Sequence, residues 1–140
     1  MKQVSISSVE LVPLMTEALK TNQSIHFKVS GTSMMPFFKH QQTVVTLMRK
    51  ETYQKNDVVL FKYQGVYRLH RIIRIQDTEV IASGDNLLSK EWFKSSDIVG
   101  YVESFVLKKK IYCQDKTYRL EVFLWKMVKP VMLRLKRGLR

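Results

Sequence analysis

The sequence predicts a mainly β protein. It has a small β-barrel core over residues 25–117, a short N-terminal helical segment over residues 1–24, and a basic amphipathic C-terminal helix over residues 118–140. Three observations predict this. Between Ile25 and Thr117, short runs rich in β-branched and aromatic residues recur between Gly-, Asn- and Asp-containing turns, the spacing of a small antiparallel or mixed barrel. From Tyr118 the apolar period changes from two to that of a helix. The chain of 140 residues is one domain's worth, long enough for a real core. Its hydrophobic share of 45% and charged share of 26% are those of an ordinary globular protein.

Taken in order, Ser7 and Glu10 are spaced as a capping box. Pro13 moves the helix start towards Val12, because proline is tolerated only in the first turn. Leu11, Leu14, Met15, Ala18 and Leu19 then share one face, and Thr21-Asn22-Gln23-Ser24 stops the helix. Residues 25–29 alternate apolar and polar and read as a strand, as do 43–48 and 57–63. Gln64-Gly65 turns the last of these into a long hairpin partner, residues 66–75. Residues 79–83 form a further strand, 87–96 a loop or short helix, 97–107 a returning strand and 111–117 a last short one carrying Cys113. In the tail, Leu120, Phe123, Leu124, Met127, Val131 and Leu135 lie on one helical face, opposite Lys126, Lys129, Lys136, Arg137 and Arg140. Pro130 kinks or divides this segment.

Net charge is +12, which favours anionic partners such as phospholipid surfaces or nucleic acid. Eight Lys/Arg against the single Glu121 after residue 115 make the tail the composition of an in-plane membrane anchor, so residues 118–140 are a candidate contact for an anionic membrane surface. A helix packing its apolar stripe on the barrel is the competing reading. The lone Cys113 rules out an internal disulfide framework and suits a reducing compartment. Residues 1–20 carry Glu10, Pro13 and Glu17 and no uninterrupted apolar core, so no signal peptide is read. No stretch reaches the roughly 18–20 apolar residues a transmembrane helix needs. The expected location is cytoplasmic or peripheral to a membrane. Metal-ligand spacings, phosphate-binding glycine loops and cofactor boxes are not found, and no cofactor is expected.

The chemistry-bearing stretch is Val29-Ser30-Gly31-Thr32-Ser33-Met34-Met35-Pro36-Phe37-Phe38. Gly31 lets the backbone turn sharply, and Pro36 stiffens the exit. A serine hydroxyl becomes a nucleophile only beside a base, with amide N–H groups facing the oxyanion. Bases on offer are His26, on the strand leading to Ser33, His40, in the polar turn Lys39-His40-Gln41-Gln42, and His70, mid-strand in an apolar run. Met34, Met35, Phe37 and Phe38 serve equally as core or as an apolar substrate groove.

Five segments in order, spanning about Ile25 to Val106, carry a resemblance. Ser30-Gly31-Thr32-Ser33-Met34-Met35-Pro36 resembles the nucleophile box of the signal peptidase I family and of LexA-type self-cleaving repressors. Asp57-Val58-Val59-Leu60-Phe61, Tyr67-Arg68-Leu69-His70-Arg71-Ile72-Ile73, Ser83-Gly84-Asp85-Asn86 and Asp97-Ile98-Val99-Gly100-Tyr101-Val102 resemble its second strand, general-base strand, Gly-Asp box and closing strand. The resemblance implies a serine endopeptidase with Ser33 as nucleophile and its backbone amide as oxyanion donor. His70 is the implied base, in the histidine version of the strand found in endoplasmic-reticulum-type enzymes, and imidazole suits that work near neutrality. For the carboxylate that orients the base, Asp85 is the first choice. Glu91 is an alternative, because the family's later aspartates fall here on Lys90 and Glu91, and a Ser33–His70 dyad is a third. Gly31 stands where some members carry an oxyanion-binding serine. The implied substrate is a peptide or precursor protein, with Met34, Met35 and Phe37 as groove candidates. A LexA-like self-cleaving regulator is the competing function, weakened by the absence of an Ala-Gly or Cys-Gly cleavage dipeptide and by only about 24 residues before the barrel, too few for a DNA-binding domain; no nucleic-acid partner is expected. A non-catalytic basic binding module is the third reading.

Overall fold

The computed structural model describes residues 4–5 and 12–138. The proposed Ser7–Glu10 capping box lies outside the described residues. Helix α1, Val12–Lys20, starts where Pro13 directs it. Met15 and Leu19 are buried, four residues apart on one face.

Nine strands among the described residues form one sheet: β1 (Val4–Ser5), β2 (Ile25–Lys28), β3 (Val44–Met48), β4 (Val58–Tyr63), β5 (Val66–Gln76), β6 (Glu79–Ser83), β7 (Glu91–Lys94), β8 (Ile98–Val106) and β9 (Lys110–Tyr112). Their order is β1-β2-β3-β8-β4-β5-β6-β7, with β9 beside β8. Every pairing is antiparallel except β1 with β2. The expected barrel is therefore corrected to a curled open sheet, because among the described residues β1 and β7 end the path unpaired with each other. Register shifts at Thr46/Leu47, Leu60/Phe61 and Ile72/Arg74 bend the strands. The bends let one sheet enclose two cores. One gathers Leu19, Phe27, Met34, Phe38, Leu47 and Phe105; the other gathers Val59, Phe61, Ile72, Val80, Ala82 and Phe93.

Residues 87–96 hold a strand where a loop or short helix was expected. Strand β7 is followed by a 3₁₀ turn, Ser95–Asp97. Helix α2, Lys116–Gly138, runs undivided through Pro130. The buried members of this helix are Tyr118, Val122 and Leu133, not the predicted apolar stripe. No helix among the described residues is long and apolar enough to cross a membrane.

Candidate active site

Three separate segments bring a hydroxyl, an imidazole and a carboxylate into line. Strand β2 delivers the chain into the turn holding Ser33. That turn opens at Gly31, whose φ of +91° lies in the left-handed region that glycine tolerates best. His40 accepts the Gly31 N–H at Nδ1 (2.7 Å), so it braces the turn. Met34 closes the turn from below by accepting the Phe37 and Phe38 amides (3.2 and 3.0 Å) and burying its side chain completely.

His70 sits on β5, where Leu69, His70, Arg71 and Ile72 are all buried although successive side chains point to opposite faces. Its Nε2 lies 3.2 Å from Ser33 Oγ, and its Nδ1 lies 2.5 Å from Glu91 Oε1. A carboxylate at Nδ1 holds the proton there and leaves the Nε2 lone pair for the serine hydroxyl. Phe61 meets the His70 ring edge-on at 6.1 Å and stacks on Phe93 at 3.9 Å, so the imidazole has an apolar wall. His26 is engaged elsewhere, with Thr46 Oγ1 at 2.9 Å.

Glu91 reaches His70 through the sheet's alternation. On β7 it is opposite Ala82 of β6, and Ala82 is opposite Ile72 of β5, on the same face as His70. The small Ala82 leaves room for the carboxylate to cross to the ring. Strand β7 thus turns Glu91 and Phe93 inward and leaves Trp92 68% exposed.

Asp85, the first choice for the carboxylate, is placed differently. Both its oxygens accept from Arg71, at 2.9 Å from Nε and 2.8 Å from Nη2. Arg71 follows His70 on β5 and so points to the opposite face, which takes Asp85 with it. Arg71 also donates to Tyr118 Oη (2.7 Å) and to the Asn56 carbonyl (2.9 Å). Burial alone would lower the Arg71 pKa. The Asp85 carboxylate and Tyr118 outweigh that and hold the guanidinium above the usual arginine range.

Gly84 is a site residue in its own right. A Cβ there would lie 2.6 Å from the Ser33 carbonyl oxygen and 3.2 Å from His70 Nε2. Its neighbour Asn86 donates its backbone N–H to the Ser33 carbonyl (2.8 Å) and its side-chain amide to Thr32 (3.2 Å). Helix α2 holds this loop from outside. Trp125 Nε1 donates to the Asp85 carbonyl (2.7 Å) and Lys129 Nζ to the Gly84 carbonyl (2.8 Å).

A cleft of about 220 Å³ lies beside Ser33 and His70, walled by Val29, Met34, Tyr67, Leu69 and Leu87. Of the predicted groove residues, Met34 lines it. Met35 and Phe37 do not, and Phe37 instead packs edge-on against Tyr118 at 5.5 Å. The other nucleophile type present, Cys113, has its thiol pushed up to about 12 by burial, so it stays protonated.

An acid–base pair aligned on a hydroxyl beside an apolar cleft can perform nucleophilic acyl transfer. The family model described as Peptidase S24-like matches residues 3–102. The chain therefore belongs to the Peptidase S24-like family, the superfamily of LexA and signal peptidase I, whose type is the serine peptidase or the LexA-like self-cleaving protein. No curated protein matches the chain.

Proposed function

We propose that this protein is a serine endopeptidase that cleaves a peptide or precursor protein supplied in trans. The alignment of Ser33 Oγ, His70 and Glu91 carries the reading. His70 takes the Ser33 proton as Oγ attacks the scissile carbonyl, then returns it to the leaving amine. The acyl-enzyme is hydrolysed by a water activated by the same imidazole. Glu91 keeps the ring in the productive tautomer and stabilises its charged form. In this reading the Ser33 amide is the oxyanion donor, the role the resemblance gives it.

The substrate's seat follows from strand pairing. Strand β5 pairs with β4 along Val66–Arg71, but its partnership with β6 begins only at Arg71↔Ser83. Residues 66–70 thus present one unpaired edge among the described residues, next to the cleft. An extended peptide adds there as a strand and places small apolar side chains against Val29, Leu69 and Leu87.

Labelling with a fluorophosphonate, followed by mass mapping of the adduct, tests the assignment. The adduct is expected on Ser33 and is expected to vanish in both Ser33→Ala and His70→Ala. Ser33→Ala is expected to lower peptide turnover by about 10⁴-fold or more. Wild-type turnover in that variant would overturn the nucleophile assignment.

A further inference from the structure

We propose that α2 is an in-plane docking helix that seats this protein on an anionic lipid surface. The two faces of the helix carry the inference. Tyr118, Val122, Trp125, Lys129 and Leu133 make the face turned to the protein: three are buried, and Trp125 and Lys129 bond to the loop at residues 84–85. Leu120, Leu124, Met127, Val131 and Leu135 each lie two positions further along, which is about 200° of rotation. They therefore point away from the protein. With Phe123 they are 52–64% exposed, and Val128 and Met132 widen the same stripe at 48% and 45%.

The stripe cannot turn inward, because the Trp125 and Lys129 hydrogen bonds fix the rotation of the helix about its axis. Eight large apolar side chains in one run along a helix about 35 Å long form a patch that wants a partner. Charge selects which partner. Lys116, Arg119, Arg134, Lys136 and Arg137 are exposed on the same helix, against the single acid Glu121. A second copy docking face to face would bring these cations against their like. An anionic bilayer accepts the apolar stripe among its acyl chains and meets the flanking cations with headgroup charge. Seated so, the bilayer lies one helix diameter from the Gly84–Asp85 loop that touches Ser33 and His70.

Co-sedimentation of the full chain with vesicles tests this, using phosphatidylcholine alone and phosphatidylcholine with phosphatidylglycerol. The expected result is binding to the mixed vesicles about 100-fold or more tighter than to the neutral ones, weakening with added salt. Phe123→Ser/Met127→Ser/Val131→Ser is expected to cut partitioning by about 100-fold while leaving the far-ultraviolet dichroism and melting temperature unchanged, since these side chains are 59–64% exposed. Arg134→Gln/Arg137→Gln is expected to lower it by about 30-fold on the anionic vesicles only. No sedimentation with mixed vesicles at low salt overturns the proposal, as does equal binding to both vesicle types or undiminished binding of the triple variant. A concentration-dependent dimer that the triple variant dissolves, without vesicle binding, overturns it in favour of a second copy.

Discussion

His70 and Arg71 are consecutive on one strand, yet each takes a carboxylate of its own: Glu91 on one face, Asp85 on the other. The two acids should therefore fail in different ways. Glu91→Gln keeps the volume and removes the charge that holds Nδ1–H, so kcat should fall by about 10³–10⁴ with KM little changed. Asp85→Asn leaves a buried guanidinium without its counter-charge, a change of the kind that costs about 3–5 kcal/mol. Its signature should be a lowered melting temperature, with residual turnover in whatever fraction stays folded. Paired melting and steady-state measurements on both variants check this, and the reverse pattern would return the orienting role to Asp85. The sequence could not separate the two acids, because the Gly84-Asp85-Asn86 resemblance pointed to Asp85 and nothing local marked Glu91 as buried. Ser33 and His70 were legible because motif order singled them out. The rings of His26 and His40 are engaged away from Ser33: one bonds Thr46, the other the Gly31 amide.

At the level of elements, the strands were readable where alternation or a run of β-branched and aromatic residues lay between turn residues, as in β2, β3 and β4. Strand β7 was missed for a physical reason. It has four residues, and its inward positions are Glu91 and Phe93 while Trp92 faces water. A buried acid beside an exposed tryptophan inverts the pattern by which strand faces are recognised. The loop from Ser83 to Asn86 shows the complementary case, where the motif was visible but the reason for its glycine was not. A Cβ at residue 84 meets the backbone oxygen of Ser33, which is not the movable end of a side chain. Gly84→Ala should therefore displace the Ser33 turn and lower kcat by about 100-fold, in line with a misplacement of order 1 Å at a reacting group. Ser83→Ala at the adjacent position removes hydroxyl bonds to nearby carbonyls and one accepted from Lys129 Nζ, adds no atom near Ser33, and should stay within a few-fold of wild type. Comparable losses in both would show that the loop tolerates no change at all, rather than that residue 84 must lack a side chain.

On the scale of the whole molecule, α2 belongs to the same folded unit as the site. Tyr118 and Val122 fill the first core with Phe27, Leu47 and Phe105, and Tyr118 meets the Phe105 ring at 5.2 Å. Tyr118 also closes the hydrogen-bond set of Arg71, and Trp125 and Lys129 hold the carbonyls of Asp85 and Gly84. The amphipathic character of the tail was plain in the sequence, but its use was not. The helix packs through Tyr118, Val122, Trp125 and Leu133, and turns its more continuous apolar stripe outward. Periodicity reports that a helix has an apolar face without reporting which face the protein occupies. Removing residues 116–140 would therefore do more than detach a surface element. Burying Tyr118, Val122 and Leu133 stabilises the fold by about 1.5–3 kcal/mol each, a large share of the roughly 5–15 kcal/mol that holds a domain together. The truncated chain should melt at least about 10 °C lower and lose peptidase turnover, whereas the Phe123→Ser/Met127→Ser/Val131→Ser chain should match wild type in both. Thermal unfolding and turnover measured on the two chains in detergent-free buffer separate the roles of the two faces. A truncated chain with wild-type melting temperature and turnover would show that the inward face carries neither the core nor the site.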